Sequence, residues 1–390
     1  MNNPEKQDVK REANEERPLK SEQKNNIQDM TTLEKLKYIK SNVTVEPVLA
    51  LFVMPSVLAM LATQNLNLDK ACRVNLEYAD EVCTALRLRK RANHTFEEDE
   101  VQKLIASVQA WKSVIHTAVP TILMLFIGAW SDKTEDHTWL ENKDKAKKTG
   151  FTGFLAEFFD FNSLKETIQI AFKKGPNNRR IRICLILTVV CLTFGPMWGE
   201  LSVMYIFARY RFNWDEVKYS IYSTYSLITH SIGTLFSITV FSKKLKADDA
   251  VLGMISTTSK ICGALVLAFA RNDYEAYMSP LLEILNGTSA IALRSIASKL
   301  VSFQELGKVY SLFGVAETTM PLIFAPLYSR VYISSLHVLP GAVFLLSVTA
   351  TLPALGIFVW FYRQHKQDAK DKRLNQPSTA PENVTGPVSA

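Results

Sequence analysis

Among the ionisable residues that stand inside long apolar stretches of this chain are His116, Glu200, His230, Lys260, Glu283, Arg294 and Glu317. A charge at the centre of a bilayer costs about 2.5–3.5 kcal/mol on insertion scales, so each is a candidate for ligand binding or proton exchange. If the stretch around Arg294 is one helix, Glu283, Gly287, Ala290 and Arg294 share a face, because eleven residues make about three turns. The small residues would leave a groove in which the guanidinium could bind a carboxylate through two parallel hydrogen bonds. The alternatives are an internal salt bridge between Glu283 and Arg294, or an Arg that snorkels to the membrane surface. Lys260 lies mid-run among Ser256, Ser259 and Gly263 and is expected to face an aqueous cavity. Glu200, just after Gly195-Pro196, and Glu317, one turn before Pro321, are the acidic candidates for proton exchange. Either could instead simply pair with Lys260 or Arg294. His116 and His230 titrate in a useful range, although a lone His on an apolar helix is also an ordinary packing residue.

Such residues need membrane-length helices to hold them. Runs near Val48 to Ala62, Val108 to Trp130, Ile181 to Phe207, Tyr219 to Phe241, Ala250 to Ala270, Tyr277 to Ile296, Val309 to Tyr328 and Val338 to Tyr362 are mostly apolar. Most approach the ~20 residues that a spanning helix needs. Helices satisfy their own backbone groups in lipid, so the pattern predicts an all-α polytopic membrane protein of about eight transmembrane helices. The overall 47% hydrophobic and 21% charged composition hides this, because the charges concentrate in tails and loops.

The segment between the second and third runs, Ser131 to Arg180, carries Lys or Arg at 133, 143, 145, 147, 148, 165, 173, 174, 179 and 180. That density places it, and with it both termini, on the cytosolic side. Within it, Ser163-Leu164-Lys165-Glu166 reads as a capping box and Gly175-Pro176 as a stop, bounding an amphipathic helix that lies along a membrane or under a bundle. Residues 1–45 are an expected disordered cytosolic tail with no cleavable signal peptide, and 363–390 a second disordered tail. The net charge of +7 is on this reading a signal of topology, with no nucleic-acid partner. The outer loop 63–107 holds Cys72 and Cys83, which could bond to each other or leave one for a distant loop. Asn93, in Asn93-His94-Thr95, is the plausible glycan acceptor. The sequence offers no nucleophile elbow, metal-spaced His/Cys set or phosphate loop, so neither an enzyme nor a cofactor or metal is expected.

The second run ends Gly128-Ala129-Trp130-Ser131-Asp132-Lys133, which resembles the loop signature of the major facilitator superfamily. Together with Glu46-Pro47 opening the first run, the Cys-bearing outer loop, Phe159-Asp160-Phe161-Asn162-Ser163 in the connector and Arg294-Ser295-Ile296-Ala297-Ser298-Lys299-Leu300, it is similar to the proton-coupled folate transporter family of solute carriers. The resemblance implies a facilitator fold with substrate held between two halves. It also implies a substrate-linked role for Arg294 and a gating role for Asp132, which could otherwise be a solvated helix end. It departs where Lys133-Thr134 leads into Glu135-Asp136-His137-Thr138-Trp139 and then the connector, as though spans three to six were omitted. Residues 46–132 would then be a two-span remnant of the first half, 133–180 the cytosolic connector, and 181–362 the complete second half of six helices. Near the family's coupling His this chain has Thr193, so the proton route does not carry over.

The expected function is therefore transport of an anionic organic solute, folate-like or related, by proton-coupled symport with alternating access. Arg294, Lys260 and Glu283 would be at the substrate, and Glu200, Glu317 and His230 at the proton. The protein would reside in the plasma or endolysosomal membrane. The competing expectation is a truncated, non-transporting form that acts only through membrane partners.

Overall fold

The computed structural model describes residues 62–88, 94–135 and 178–374, apart from 238, 241–247 and 302, with single positions between 158 and 172. The first apolar run, Asn93, the tail 1–45, and the capping box and stop of the connector lie outside or largely outside the described residues; of the tail expected to be disordered at 363–390, residues 363–374 are instead helical, and Asp368 there pairs with Arg182 at 2.8 Å. The chain divides into two compact units, Met1–Asn67 and Leu68–Ala390; in the first, residues 62–67 are helical.

In the second unit a π-helical turn, Ala71–Asn75, precedes α1 (Asp80–Arg87) and a 41-residue α2 (Thr95–Glu135). Then follow α3 (Arg179–Phe212), α4 (Glu216–Phe236), α5 (Asp249–Phe269), α6 (Asp273–Leu282), α7 (Thr288–Leu300), α8 (Phe303–Ser335) and α9 (Ala342–Leu374). The protein is an all-α polytopic membrane protein. Among the described residues, Thr95–Ile127, Arg179–Phe212, Asp249–Phe269 and Ala342–Asp368 are each long and apolar enough to cross a bilayer alone. The fourth and seventh runs also form continuous helices, α4 and α8. The sixth does not: it is split into α6 and α7 by the turn 283–287. Helix α2 begins thirteen residues before the expected start at Val108, turning part of the outer loop into helix. Glu97 and Glu98 in its first turn favour that start, since acidic groups complement the helix dipole there.

Helix α8 packs against α2 and α3, α5 against α9, α6 and α7, and α9 also against α3. Close approach explains the α3–α8 pair. A Cβ on Gly195 would sit 2.5 Å from the Phe324 ring, and one on Gly199 would sit 2.4 Å from Tyr328. Glycines four apart thus give the rings of α8 a seat on α3, as small residues do at membrane helix contacts. Prolines lie inside α2, α3, α6, α8 and α9, where each removes a helical hydrogen bond. Beside Pro120, Thr121 Oγ1 donates to the Thr318 carbonyl at 2.9 Å, joining α2 to α8. Phe159 and Phe161 of the connector meet Phe126 of α2 edge to face and Phe158 meets it tilted, with centroids 5.0–6.5 Å apart.

Candidate functional site

The break between α6 and α7 follows the last turn of α6, where Pro280 lacks an amide to donate, and ends at Gly287. In lipid a broken helix survives only if its freed backbone groups find partners. Helix α5 supplies them from one face. Ser256 Oγ donates to the Asn286 carbonyl at 2.6 Å and accepts from the Ser289 amide at 3.0 Å. Ser259 donates to the Leu282 carbonyl, and from α6 Ser279 Oγ donates to the Gly263 carbonyl at 3.1 Å. On the other side α4 comes very close: a Cβ on Gly233 would lie 1.8 Å from the Ile284 carbonyl oxygen. The turn is therefore clamped between α4 and α5.

That clamp aims Glu283 at Lys260, one residue beyond Ser259 on α5. Lys260 Nζ lies 3.2 Å from both carboxylate oxygens of Glu283 and 2.6 Å from Glu200 Oε2 on α3. Gly263 makes room, because a Cβ there would meet the Glu283 side chain at 2.1 Å. His230 of α4 completes the group, its Nε2 3.8 Å from Glu283 Oε2. Lys260 and Glu283 are 6% and 7% exposed, so water screens little of their interaction. With both Glu ionised, one ammonium faces two carboxylates and the cluster carries one uncompensated negative charge. Glu200 Oε1 and His230 Nε2 are buried without a hydrogen-bond partner among the described residues. A site of this composition can take up one proton, or one further donor, at those atoms.

Arg294 stands apart. Its side chain is 55% exposed and reaches Glu317 Oε1 at 3.3 Å, while the Tyr310 hydroxyl donates to its carbonyl at 3.1 Å. The single face expected from Glu283 to Arg294 is not formed, because the turn at 283–287 resets the helical phase. His116 is exposed on α2, outside the cluster. Helix α2 runs through Asp132, whose side chain lies outside the described residues. Cys72 and Cys83 are joined in a disulfide.

A second buried ionic group was not anticipated from the sequence. Arg209, at the end of α3, lies 3.4 Å from Glu98 Oε1 and donates to the Leu86 carbonyl at 3.0 Å. Gln102 Nε2 donates to the same Glu98 oxygen at 3.0 Å, and the Tyr332 hydroxyl of α8 reaches Gln102. The spacing of Glu98 and Gln102, one helical turn, is the only local signal; Arg209 is 111 residues away in the chain.

No family model matches the chain. It is 26% identical over 210 residues to the probable peptidoglycan muropeptide transporter SLC46 of Drosophila melanogaster, covering 52% of this chain and 40% of that protein. It is 28% identical over 204 residues to the lysosomal proton-coupled steroid conjugate and bile acid symporter SLC46A3 of Gallus gallus, covering 50% and 43%. With solute carrier family 46 member 2 of Mus musculus it shares 26% identity over 197 residues, covering 49% and 40%. The chain spans less than half the length of these curated relatives.

Proposed function

We propose that this chain, a homologue of the solute carrier family 46 proteins, carries an organic anion across a membrane together with a proton. The observation that carries the reading is the buried Lys260–Glu200–Glu283 cluster set against a broken helix. Intramembrane charges are retained where they serve an ion or substrate path, and discontinuous helices mark binding sites in transporters. Lys260 holds the anion, and Glu200, Glu283 and His230 exchange the proton. The more exposed Arg294–Glu317 pair guides or releases cargo, with Arg294 as a second anion contact and Glu317 as a second acid. The cargo class is a bulky carboxylate or sulfate, such as a folate, bile acid, steroid conjugate or muropeptide. Asp132 gates, Asn93 carries a glycan, and both termini face the cytosol of a plasma or endolysosomal membrane. No enzymatic step is part of this reading.

The domain plan belongs to the same proposal: residues 46–132 as a two-span remnant of one half, 133–180 as connector, and 181–362 as a six-helix half. A second reading is a non-transporting form that acts through membrane partners. Uptake of radiolabelled folate, taurocholate and muramyl dipeptide by cells displaying the chain, at outer pH of about 5.5 and 7.4, separates the two. Uptake that rises at acid pH and is abolished by Lys260→Gln supports the carrier. A chain present in the membrane that moves none of the three leaves the second reading.

A further inference from the structure

Lys260 is already taken. Its nearest partner is Glu200 Oε2 at 2.6 Å, and Glu283 occupies it with both oxygens at 3.2 Å. A cargo anion arriving at this ammonium would meet two carboxylates and add a second uncompensated negative charge to a site with little water. One of the carboxylates must first give up its place.

The two are not equivalent. Glu283 sits on a turn whose carbonyls are held by Ser256 and Ser259, its side chain fills the space left by Gly263, and its second oxygen neighbours His230. Glu200 uses one oxygen only, and its Oε1 is buried with no partner among the described residues. It lies one turn after Pro196, where α3 lacks a backbone hydrogen bond. Displacing Glu200 costs one ion-pair contact, whereas displacing Glu283 also disturbs the clamped turn. The titratable groups around Glu200 are Lys260 from α5, Glu283 from the turn, His230 and Tyr222 from α4, and Tyr328 from α8. The Tyr328 hydroxyl is engaged with Ser347 at 2.7 Å.

We propose that Glu200 is an internal stand-in for the cargo: its carboxylate holds the Lys260 position that a cargo carboxylate or sulfate takes once a proton neutralises Glu200. This rests on the carrier reading above. The proton binds Glu200 Oε1, the atom without a donor, and the neutral carboxyl releases Nζ. The cargo anion then replaces the lost contact while Glu283 remains paired. The cluster carries the same net charge before and after, so proton and anion enter together at no net electrostatic change. Uptake of one proton with each anion bound follows from this arithmetic.

The test uses the full chain in lipid nanodiscs with radiolabelled taurocholate as probe. Wild-type affinity is expected to weaken about tenfold for each unit of pH rise, the slope of a single linked proton. Glu200→Gln is expected to bind with no such slope, and Lys260→Gln to lose at least tenfold in affinity at acid pH. A Glu200→Gln protein that keeps the wild-type slope, or a Lys260→Gln protein that binds as wild type, overturns the proposal. Infrared titration of the same nanodiscs reads the proton without cargo: the protonated-carboxyl band should vanish in Glu200→Gln and persist in Glu283→Gln, and the reverse overturns the assignment. If that band behaves as expected while taurocholate, folate and muramyl dipeptide all fail to bind at any pH, the cargo half falls together with the carrier reading. Loss of the band assignment alone leaves the carrier reading standing.

Discussion

Among the described residues two ionic groups are buried, and they are built to opposite balance. At one end Arg209 meets a single carboxylate, Glu98, through Nε, and its Nη2 donates to the Leu86 carbonyl. In the middle Lys260 meets two carboxylates and one of their oxygens is left over. The first arrangement is neutral and ties α1, α2, α3 and α8 together behind the Cys72–Cys83 disulfide, as a clamp would. The second leaves a charge that only a proton or an added partner can settle. Each group leaves one buried carboxylate oxygen without a partner among the described residues, Glu98 Oε2 in the first and Glu200 Oε1 in the second, so it is the balance of charges that distinguishes a structural ion pair from a working one.

Removing the cation should hurt both groups most. Arg209→Met leaves Glu98 buried and uncompensated, and Lys260→Met leaves two carboxylates so; each is expected to cost about 3–5 kcal/mol, read as a lower melting temperature in nanodiscs. Replacing Glu98 as well should recover much of the Arg209→Met loss, and a double variant no better than the single would break the clamp interpretation.

Removing an acid should separate the groups by sign. Glu98→Gln takes a charge from a neutral pair and is expected to destabilise by about 1.5–3 kcal/mol. Glu200→Gln makes the Lys260 cluster neutral, so its melting temperature should hold or rise. Equal losses in the two variants would mean that the imbalance has no energetic weight.

A smaller effect tests the clamped turn. Gly233→Ala drives a methyl into the Ile284 carbonyl, and overpacking of this kind costs about 1–3 kcal/mol. Because the turn aims Glu283, anion binding should fall further than stability does, and parallel losses would argue that α4 only packs.

The smallest effect concerns a half-exposed pair that belongs to neither group. Burial raises the Asp273 carboxyl, but the Lys218 ammonium and the Trp214 indole N–H more than offset it, so its pKa lies below the ordinary carboxylate value. A lowered folded-state pKa stabilises at pH above the unfolded value, and that gain fades as pH falls through the folded one. Asp273→Asn should therefore lower the melting temperature slightly at neutral pH and not at strongly acid pH, with solvent screening keeping the difference small.

The charged residues of the central cluster were legible in the sequence because an apolar run makes any charge conspicuous: Lys260 among Ser256, Ser259 and Gly263, and Glu200 beyond Gly195-Pro196, stand out unaided. Two of their pairings stand among the alternatives the sequence leaves open, Glu200 with Lys260 and Glu317 with Arg294, and both form; the partner of Glu283 was not legible. Helical periodicity puts Glu283 and Arg294 on one face, whereas the turn sends Glu283 to Lys260 and leaves Arg294 to Glu317. Pro280 and Gly287 flank the break, yet proline alone does not decide it, since proline inside α3, α8 and α9 leaves those helices continuous. What decided the matter was whether another helix offered hydroxyls to the freed carbonyls, as Ser256 and Ser259 do. The Glu98–Arg209 pair left still less trace, since nothing local links residues 111 apart.

By itself the sequence determined the class: a bilayer demands long apolar helices with self-satisfied backbones, and that demand is written residue by residue along each run. Only the tertiary structure decided which carboxylate faces which cation. Pairing depends on where a helix breaks and how closely its neighbours approach, and both are set by contacts between segments far apart in the chain.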